Sequence, residues 1–491
     1  MELSNLIKNL NVVKVVGNNN PNILGIAFNS KQVKKGYVFV CLTGSKTDGV
    51  NYVLEAINNG AVACVAEQEL SLKVPLVVVK NARVSLSLMC KQFYGNACDN
   101  LKIIMVTGTN GKTSVCYLIN SILNYNNLKC ALIGTNGIFY DNKQLYYGLT
   151  TPDPTELHYY FNKLKNMGVT HVVMEASAHA IKLNKLVGIK AEQIIFTNLT
   201  EEHLDYFYSM EEYSNTKLNF INASNCNLAI TNVDDGYGVK VLKSGVQTLS
   251  YGLVNPADTF ALNITNKISG LEFCVNVMDE IINIKSSLCG LYNVYNLMAA
   301  ITRAHCLGVK PNVIKKGIEN LSCIPGRFNK FFLDLNKLVV VDFAHTPDGF
   351  LKLLSEIKTF RRGKIITMFG CVGYSDSLKR KHMAEVASKF SDEIILTTDN
   401  PNFVKFADIC QDVLKGVNVP CTQIENRAEA IKHAMFNLKE NDTLLILGKG
   451  AETSNLINGI KVPHSDLAEV EYNIQNFYNV KKGDCIDTSI I

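Results

Sequence analysis

The segment Thr107-Gly108-Thr109-Asn110-Gly111-Lys112-Thr113 contains the residue types that bind a polyphosphate. Apolar residues 101–106 predict a buried strand before it, and apolar side chains at helical spacing predict a helix after it: Val115, Leu118, Ile119, Ile122 and Leu123. A glycine-rich turn between strand and helix directs backbone N–H groups and the positive end of the helix dipole at one point. Lys112 would reach the outer phosphates, and the Thr113 hydroxyl would ligate Mg²⁺. Val106 stands where a full Walker A loop has its first glycine, so a turn without a ligand remains the alternative.

Polar residues also follow two other predicted strands. Glu175 ends the apolar run 171–174, and His203 lies shortly after the run 193–197. Open α/β sheets bind ligands beyond the carboxyl ends of their strands, so both side chains are candidate contacts to Mg²⁺ or substrate. A helix cap or a satisfied surface group is the alternative for each.

Composition narrows the class of protein. The chain has 491 residues, which predicts roughly three domains at ~150 residues each, and 47% of them are hydrophobic. It has no apolar run of ~18 residues and no signal-peptide pattern, so we expect no membrane span. The 15 cysteines are odd in number and include no C-x-x-C pair, which predicts reduced thiols in a cytoplasmic protein. The formal charge of +5 is scattered, so it suits an anionic small molecule and predicts no nucleic-acid partner.

Strand and helix patterns predict an α/β protein of three domains. Residues 1–99 form a small α/β unit, residues 100–325 alternate strands and helices around the central loop, and residues 326–491 restart that alternation without a P-loop of their own. Within the central unit, residues 228–288 alternate apolar and polar side chains, which predicts an antiparallel side sheet. Ile324-Pro325-Gly326-Arg327 interrupts the pattern and predicts a hinge.

Seven segments in order resemble the motifs of one enzyme family, the Mur ligases. They are residues 107–113; Thr150-Thr151-Pro152; Glu175-Ala176-Ser177-Ala178-His179; Phe196-Thr197-Asn198-Leu199 with His203-Leu204-Asp205 and Lys217; Gly290-Leu291-Tyr292-Asn293-Val294-Tyr295-Asn296; Pro325-Gly326-Arg327; and Asp342-Phe343-Ala344-His345-Thr346-Pro347-Asp348. Within the family, the likeness is greatest to the ligases that add the third amino acid to the UDP-N-acetylmuramoyl dipeptide of bacterial cell-wall synthesis.

The resemblance implies an ATP-dependent, ADP-forming carboxylate–amine ligase. It would act through an acyl phosphate with Mg²⁺ as cofactor, on UDP-N-acetylmuramoyl-L-Ala-D-Glu and an amino acid, as a monomer. The implied catalytic residues are Lys112, Glu175, His203 and Lys217, and the implied metal ligands are Thr113, Glu175, His203 and a carbamylated Lys217. The implied nucleotide contacts are Gly108, Thr109, Asn110, Gly111, Lys112, Thr113, Ser114, Asn293, Arg327 and Asp342. The implied substrate contacts are Ser30, Thr150, Thr151, Ser177, Lys185, Asp399, Asn400, Asn402, Gly448 and Glu452.

Departures from the family pattern lie on the substrate side. Asn29-Ser30-Lys31 replaces Asp-Ser-Arg, and Lys185 replaces an arginine, which keeps the charge but loses the two-pronged fork. Asp399-Asn400-Pro401-Asn402 replaces Asp-Asn-Pro-Arg, whose arginine holds the distal carboxylate of meso-diaminopimelate. Gly373-Tyr374-Ser375-Asp376 replaces Gly-Asp-Arg-Asp, and Lys379 and Arg380 lie close enough to compensate.

A neutral amide cannot make a charge-assisted grip on a carboxylate. We therefore expect an amino acid other than meso-diaminopimelate, such as lysine or another amine. Two alternatives remain: a relative that forms an amide on a different acid, and a nucleotide-binding paralogue without turnover. The presence of Lys112, Glu175, His203 and Lys217 argues against the second.

Overall fold

Three separate α/β sheets organise the chain. The computed structural model describes residues 1–44, 47–373 and 377–478, apart from the side chain of Asp205. The helices are α1 Leu3–Ile7, α2 Val53–Asn58, α3 Ala82–Phe93, α4 Lys112–Tyr125, α5 Pro154–Asn166, α6 Ala178–Lys182, α7 Leu204–Phe207, α8 Met210–Phe220, α9 Gly236–Val241, α10 Leu291–Cys306, α11 Pro311–Glu319, α12 Pro347–Phe360, α13 Ser377–Phe390, α14 Phe406–Leu414, α15 Arg427–Phe436 and α16 Asp466–Phe477. None of these helices is long and apolar enough to cross a membrane.

The strands fall into four sheets, of which three are large. They are β1 Val12–Val16, β2 Gly25–Ala27, β3 Tyr37–Val40, β4 Ala61–Ala66, β5 Leu76–Val79, β6 Lys102–Thr107, β7 Cys130–Gly134, β8 Gly137–Tyr140, β9 Lys143–Tyr146, β10 His171–Glu175, β11 Ala191–Phe196, β12 Cys226–Asn232, β13 Gln247–Gly252, β14 Thr259–Lys267, β15 Gly270–Val277, β16 Glu280–Ser286, β17 Asn329–Phe332, β18 Leu338–Asp342, β19 Ile365–Phe369, β20 Glu393–Leu396, β21 Cys421–Gln423, β22 Thr443–Leu447, β23 Ser454–Ile457 and β24 Ile460–Pro463.

The central sheet has 11 strands in the order β16-β15-β14-β13-β12-β11-β6-β10-β7-β8-β9. Its middle strands are parallel and buried on both faces, so they consist of nearly continuous apolar residues. The predicted apolar face of α4 packs against this sheet and against α10. This packing brings the carboxyl ends of β6, β10 and β11 together at the turn that precedes α4.

The two flanking sheets are smaller. The N-terminal sheet has the order β1-β5-β4-β3-β2, and the C-terminal sheet has the order β17-β18-β22-β19-β20-β21. Each is parallel except for one antiparallel edge strand, β1 in the first and β17 in the second. The hairpin β23–β24 forms a sheet of its own beyond β22.

Most predicted elements form within one or two residues of their expected ends, but the side sheet predicted for residues 228–288 does not. β12 and β13 continue the parallel part of the central sheet, and only β14, β15 and β16 are antiparallel. β13 pairs with β14, so the antiparallel strands extend the same sheet instead of forming a second one. Alternation of side chains reports which faces of a strand are buried, and it does not distinguish a parallel from an antiparallel neighbour.

Candidate active site

The turn between β6 and α4 has the geometry that its glycines predict. Gly108 and Gly111 have φ values of +142° and +87°, a region that residues with a Cβ rarely adopt. A Cβ on Gly108 would collide with Thr197, and one on Gly111 would collide with the Asn296 side chain. No side chain caps the start of α4, so the backbone N–H groups of its first turn are available to an anion.

Lys112 lies over this turn. Its Nζ donates to the carbonyl oxygens of Gly108 at 3.0 Å and Thr109 at 2.7 Å. The ammonium group is thus already next to the backbone N–H groups that would cradle phosphate. Asn110 and Ser114 line the same cavity.

A carboxylate lies beside the hydroxyl of Thr113. β10 pairs with β6, which places Glu175 at the sheet edge where α4 begins. The Thr113 hydroxyl donates to Glu175 Oε1 at 3.0 Å, and Thr135 donates to the same carboxylate through its N–H at 2.9 Å and its hydroxyl at 3.2 Å. An adjacent hydroxyl and carboxylate are the oxygen ligands that Mg²⁺ prefers, so Thr113 and Glu175 fit this ion.

Lys217 is buried below the turn, with 1% of its surface exposed. Its Nζ donates to the carbonyl oxygen of Gly108 and lies 4.8 Å from the centre of the Tyr213 ring. Burial, followed by the positive charge of Lys112, lowers the pKa of Lys217 well below that of an ordinary lysine. The side chain therefore has an unusual tendency to be a neutral amine.

His203 belongs to a second group of polar side chains above the turn. Glu202 is within 3.6 Å of His203 Nε2 and 3.3 Å of His345 Nε2, which comes from the loop after β18. Burial lowers the pKa of His203 to about 4, so its imidazole is neutral at pH 7 and can ligate a metal. Burial acts to raise the pKa of Glu202, but the hydrogen bond from His345 and the charges around it keep that pKa far below its usual range.

These groups fit one divalent cation better than two as they stand. Among the described residues, no three His, Cys, Asp or Glu side chains are grouped as a metal site. Thr113 and Glu175 fit one cation, whereas His203 lies above the turn, with a Glu202 oxygen 3.6 Å from its Nε2.

Residues from the C-terminal part of the chain close the nucleotide side of the site. Arg327 donates to the Thr113 hydroxyl at 2.9 Å and lies 4.2 Å from the centre of the Phe343 ring. Asp342 accepts from the N–H groups of Phe328 and Ala344, both at 2.7 Å, and so holds the segment that carries Arg327. Burial raises the pKa of Asp342 although Arg327 opposes the shift.

The structure brings most of the predicted residues to one cavity of about 750 Å³. Those that line it are Thr109, Asn110, Gly111, Lys112, Thr113, Ser114, Thr150, Thr151, Glu175, Ser177, Lys185, His203, Asn293, Arg327 and Asp342. Thr151 donates to the Glu175 carbonyl oxygen at 2.8 Å and to Ser177 Oγ at 3.2 Å, so the predicted substrate loop adjoins the metal ligands. Lys185 is paired with Asp153 at 2.7 Å.

Gly108 and Lys217 lie at the turn and contact each other without lining this cavity, and the other predicted residues lie elsewhere. Ser30 is buried in the N-terminal sheet unit, where its hydroxyl donates to Glu55 at 3.0 Å. Asp399, Asn400, Gly448 and Glu452 form a separate cluster beyond β20 and β22. Its centre is Lys449, which is fully buried and lies 2.7 Å from Glu452 and 3.5 Å from Asp399.

Asn402 has a different neighbourhood from the one we predicted. Its side-chain oxygen accepts from the Gly459 N–H at 2.8 Å, and its backbone bonds to Leu456 and Asn458, so it anchors the turn of the β23–β24 hairpin. Its φ of +51° is one that asparagine tolerates better than most residues. Arg380 donates to Asp412 and to the carbonyl oxygens of Val372 and Gly373, so this guanidinium is used within the fold. Residues 374–376, which replace part of a family motif, lie outside the described residues.

Sequence reasoning missed several side chains of the cavity. Four of them line it: Thr135, Glu202, Asn296 and Glu356. Thr135 also donates to Glu175, and Asp348 accepts from Asn110 of another domain at 2.9 Å. Glu202 is adjacent to His203 in sequence, and an acid next to a predicted metal ligand is a signal that could have been used. Asp348 ends the seventh motif segment, where it was given no role of its own, whereas Glu356 offers no such signal because its contacts span long stretches of chain.

Comparison with known proteins agrees with this geometry. Residues 22–90 match the Mur ligase family catalytic domain, residues 106–304 the Mur ligase middle domain, and residues 326–450 the Mur ligase glutamate ligase domain. The chain therefore belongs to the Mur ligase family, and it is an ATP-dependent amide ligase that forms ADP.

Its relatives resemble it over nearly their full length. The UDP-N-acetylmuramoyl-L-alanyl-D-glutamate–2,6-diaminopimelate ligase of Caldanaerobacter subterraneus subsp. tengcongensis is 36% identical over 472 residues, which cover 95% of this chain and 97% of the relative. The enzyme of the same name from Clostridium perfringens is 36% identical and covers 96% and 99%. A solved structure of a ligase of that name is 29% identical, with a TM-score of 0.65 over 92% of this chain and 95% of the other. MurF ligase from Thermotoga maritima in complex with ADP shares the fold at 20% identity, with a TM-score of 0.61 over 86% and 93%.

These names overturn one expectation. We expected an amino acid other than meso-diaminopimelate because Asn402 lacks the charge of the family's arginine, yet relatives at about 36% identity are named as 2,6-diaminopimelate ligases. The structure gives the Asn402 side chain a role in the fold, because its oxygen accepts from the Gly459 N–H in a hairpin turn.

Proposed function

We propose that this ligase joins 2,6-diaminopimelate to UDP-N-acetylmuramoyl-L-alanyl-D-glutamate in peptidoglycan precursor synthesis. The observation that carries the proposal is the single cavity in which the P-loop, Glu175, the loop at Thr150 and Thr151, and Lys185 meet. Relatives named for this reaction cover nearly the whole chain and support the choice of both substrates. We further propose a monomer acting on small molecules in the cytoplasm, where ATP is available.

The chemistry begins at the carboxylate of the dipeptide. A carboxylate is a poor electrophile, so the γ-phosphoryl group of ATP first moves to one of its oxygens, and ADP leaves. The amine nitrogen then attacks the carbonyl carbon, loses a proton, and expels phosphate as the amide forms. Positioning and stabilisation of charge are the main tasks of the protein in such a transfer.

The residues of the P-loop have defined tasks in this proposal. Lys112 would stabilise the migrating phosphoryl group, because its ammonium already lies among the backbone donors of the turn. Arg327 would contact the phosphates from the opposite wall, and Asn293 and Asp342 would contact the nucleoside. Thr113 and Glu175 would hold one Mg²⁺ and His203 would help hold a second, and these ions would spread the negative charge of the phosphates.

Carbamylation of Lys217 completes the metal site in this proposal. The neutral Nζ attacks the carbon of CO₂, an N–C bond forms, and one proton is released. Only a neutral amine can do this, and the lowered pKa of Lys217 supports that form. The carbamate would supply an anionic oxygen ligand to a metal ion at the P-loop turn.

The cluster beyond β20 and β22 is the proposed site for the amino acid. Asp399 and Glu452 would accept the amino groups of diaminopimelate, with Asn400 donating to Glu452 at 3.1 Å and keeping its carboxylate in place. Gly448 has a φ of +111°, and a Cβ there would lie 2.6 Å from Asp399, so glycine allows this carboxylate to approach the backbone. In the same proposal, residues 1–99 bind the UDP moiety, residues 100–325 bind ATP, and residues 326–491 bind the amino acid.

An amino-acid panel tests the proposal directly. The protein is incubated with ATP, Mg²⁺ and UDP-N-acetylmuramoyl-L-alanyl-D-glutamate plus diaminopimelate, lysine or ornithine, and phosphate release and product mass are measured. We expect phosphate and an amide product with diaminopimelate and much less with the others. Turnover with lysine alone, or phosphate release that is independent of the amino acid, contradicts the proposed substrate.

A further inference from the structure

The helix α10 carries nucleotide-side residues but lacks a cap from its own domain. Its N-cap residue is Gly290, which has no side chain and a φ of +93°. Asn293 and Asn296 lie in its first turns, and Asn296 packs tightly against Gly111 of the P-loop. The start of α10 therefore determines where the walls of the nucleotide cavity stand.

The missing cap comes from the C-terminal part of the chain. Glu356 of α12 accepts the Leu291 N–H at 2.8 Å through Oε1 and the Asn266 side-chain N–H at 2.8 Å through Oε2. Asn266 in turn accepts the Gly290 N–H at 3.0 Å. Glu356 is 9% exposed, and it forms no ion pair among the described residues. The positive end of α10 is then the main partner of this buried negative charge.

A second residue of α12 reaches the P-loop itself. Asp348 accepts from Asn110 at 2.9 Å and from Thr200 at 3.3 Å. Asp348 and Glu356 are eight residues apart, a spacing that puts both on one face of a helix. One helix of the C-terminal domain therefore contacts both elements that shape the nucleotide cavity of the central domain.

We propose that Glu356 is a positioning residue, which caps α10 across the domain interface and thereby makes ATP affinity depend on the docking of the C-terminal domain. The inference rests on the proposed binding of ATP in this cavity. When the C-terminal domain is docked, the Leu291 N–H and the Asn266 amide are satisfied, and the first turn of α10 is held against the P-loop. Without that contact, the first turn loses its acceptor and frays.

The test compares ADP·Mg²⁺ binding, by calorimetry, between the wild type and variants of the full chain. Glu356→Ala should weaken binding by about 5- to 30-fold, the range expected for the loss of a helix cap and a charged hydrogen bond. Lys330→Met is the matched control, because Lys330 crosses the same interface to the carbonyl oxygens of Ile268 and Ser287 without capping a helix. It should bind ADP within about two-fold of the wild type. Equal weakening by both changes, or none by Glu356→Ala, overturns the inference.

A paired exchange tests the cap even where the alanine variant does not fold. In Glu356→Gln, one amide oxygen must serve two donors, so binding should weaken. In the double variant Glu356→Gln with Asn266→Asp, the amide nitrogen at position 356 donates to the carboxylate at position 266, and the amide oxygen accepts from the Leu291 N–H. The carboxylate at position 266 still accepts from the Gly290 N–H. Binding should then recover; a double variant as weak as the single one contradicts the cap.

Hydrogen exchange shows whether the first turn of α10 opens when the contact with Glu356 is lost. The amides of residues 291–294 should exchange faster in Glu356→Ala than in the wild type or Lys330→Met. Wild-type protein that binds no ADP would refute the proposed nucleotide site. If the wild type binds ADP and Glu356→Ala binds it equally well, only the proposed cap is refuted and the nucleotide site is not.

Discussion

Replacement of Lys217 separates a metal-site role from a structural one. Lys217→Met keeps the length of the side chain and removes the amine, which is buried and bonded to the Gly108 carbonyl oxygen. If the carbamate positions a metal ion, the variant loses an oriented anionic ligand. The loss of one group that stabilises the charge of a transition state lowers kcat by about 10²- to 10³-fold.

The same change should not weaken the fold. The lowered pKa of Lys217 means that the unfolded chain binds a proton more readily than the folded one does. In buffer without CO₂, this penalty is full at pH values below the folded pKa, shrinks as the pH rises, and vanishes above about 10.4. Lys217→Met removes this penalty. The variant should therefore have a higher free energy of unfolding than the wild type at low pH, by about 1.4 kcal/mol per unit of pKa shift, and this difference should decline as the pH rises.

The assay combines kinetics with chemical detection. Phosphate release is measured for wild type, Lys217→Met, Lys217→Ala and the control Lys182→Met, whose lysine is paired with Glu212 at the surface. Formate or acetate should restore part of the activity of Lys217→Ala, because the small acid fills the space of the lost carbamate. Wild type with ¹³C-bicarbonate should show a carbamate carbon signal that the Met variant lacks. An active Met variant, or an Ala variant that no small acid rescues, refutes the reasoning.

Three further predictions concern other parts of the chain. Lys112→Met should lower kcat by about 10²- to 10³-fold in the phosphate assay while the melting temperature changes little, and normal turnover would remove the P-loop assignment. Arg427→Met should cost about 3 kcal/mol in urea unfolding, because it removes both guanidinium hydrogen bonds to the buried Asp466 and leaves that carboxylate with His464 as its ionisable partner; since Arg427 lowers the pKa of Asp466 despite burial, the contribution of the pair is present above pH ~4 and lost as the pH falls through the folded pKa. Asn402→Ala, which removes the acceptor of the Gly459 N–H, should raise KM for the amino acid and leave KM for ATP unchanged, and equal changes in both would contradict a local role.

Local patterns predicted the elements that hold the P-loop. The strand β6, the glycines of the turn and the apolar face of α4 are each determined by neighbouring residues, so the sequence alone predicts them. The direction of β14 to β16 and their place in the central sheet were not predictable in the same way. Alternation of apolar and polar side chains is the same whether these strands form a separate sheet or, through β13 and β14, extend the central one.

Single positions were also a poor guide to the amino acid. The replacement of an arginine by Asn402 looked like the loss of a substrate contact, but the side chain serves a hairpin turn that no local pattern had predicted. Contacts across domains were invisible for a related reason. Asn110 and Asp348 are 238 residues apart, and Leu291 and Glu356 are 65 apart, so neither pair has a signature within one segment.

The position of two lysines on one carbonyl oxygen links the modification to the P-loop. Lys112 and Lys217 both donate to Gly108, so each ammonium acts on the other in a site that excludes much of the water. Two adjacent positive charges repel, and burial together with the charge of Lys112 lowers the pKa of Lys217. Conversion of that amine to a carbamate would reverse the sign of the interaction: the new anion would attract the Lys112 ammonium and the metal ion instead of repelling them. The modification would then hold in place the lysine that stabilises the migrating phosphoryl group, in addition to supplying a ligand.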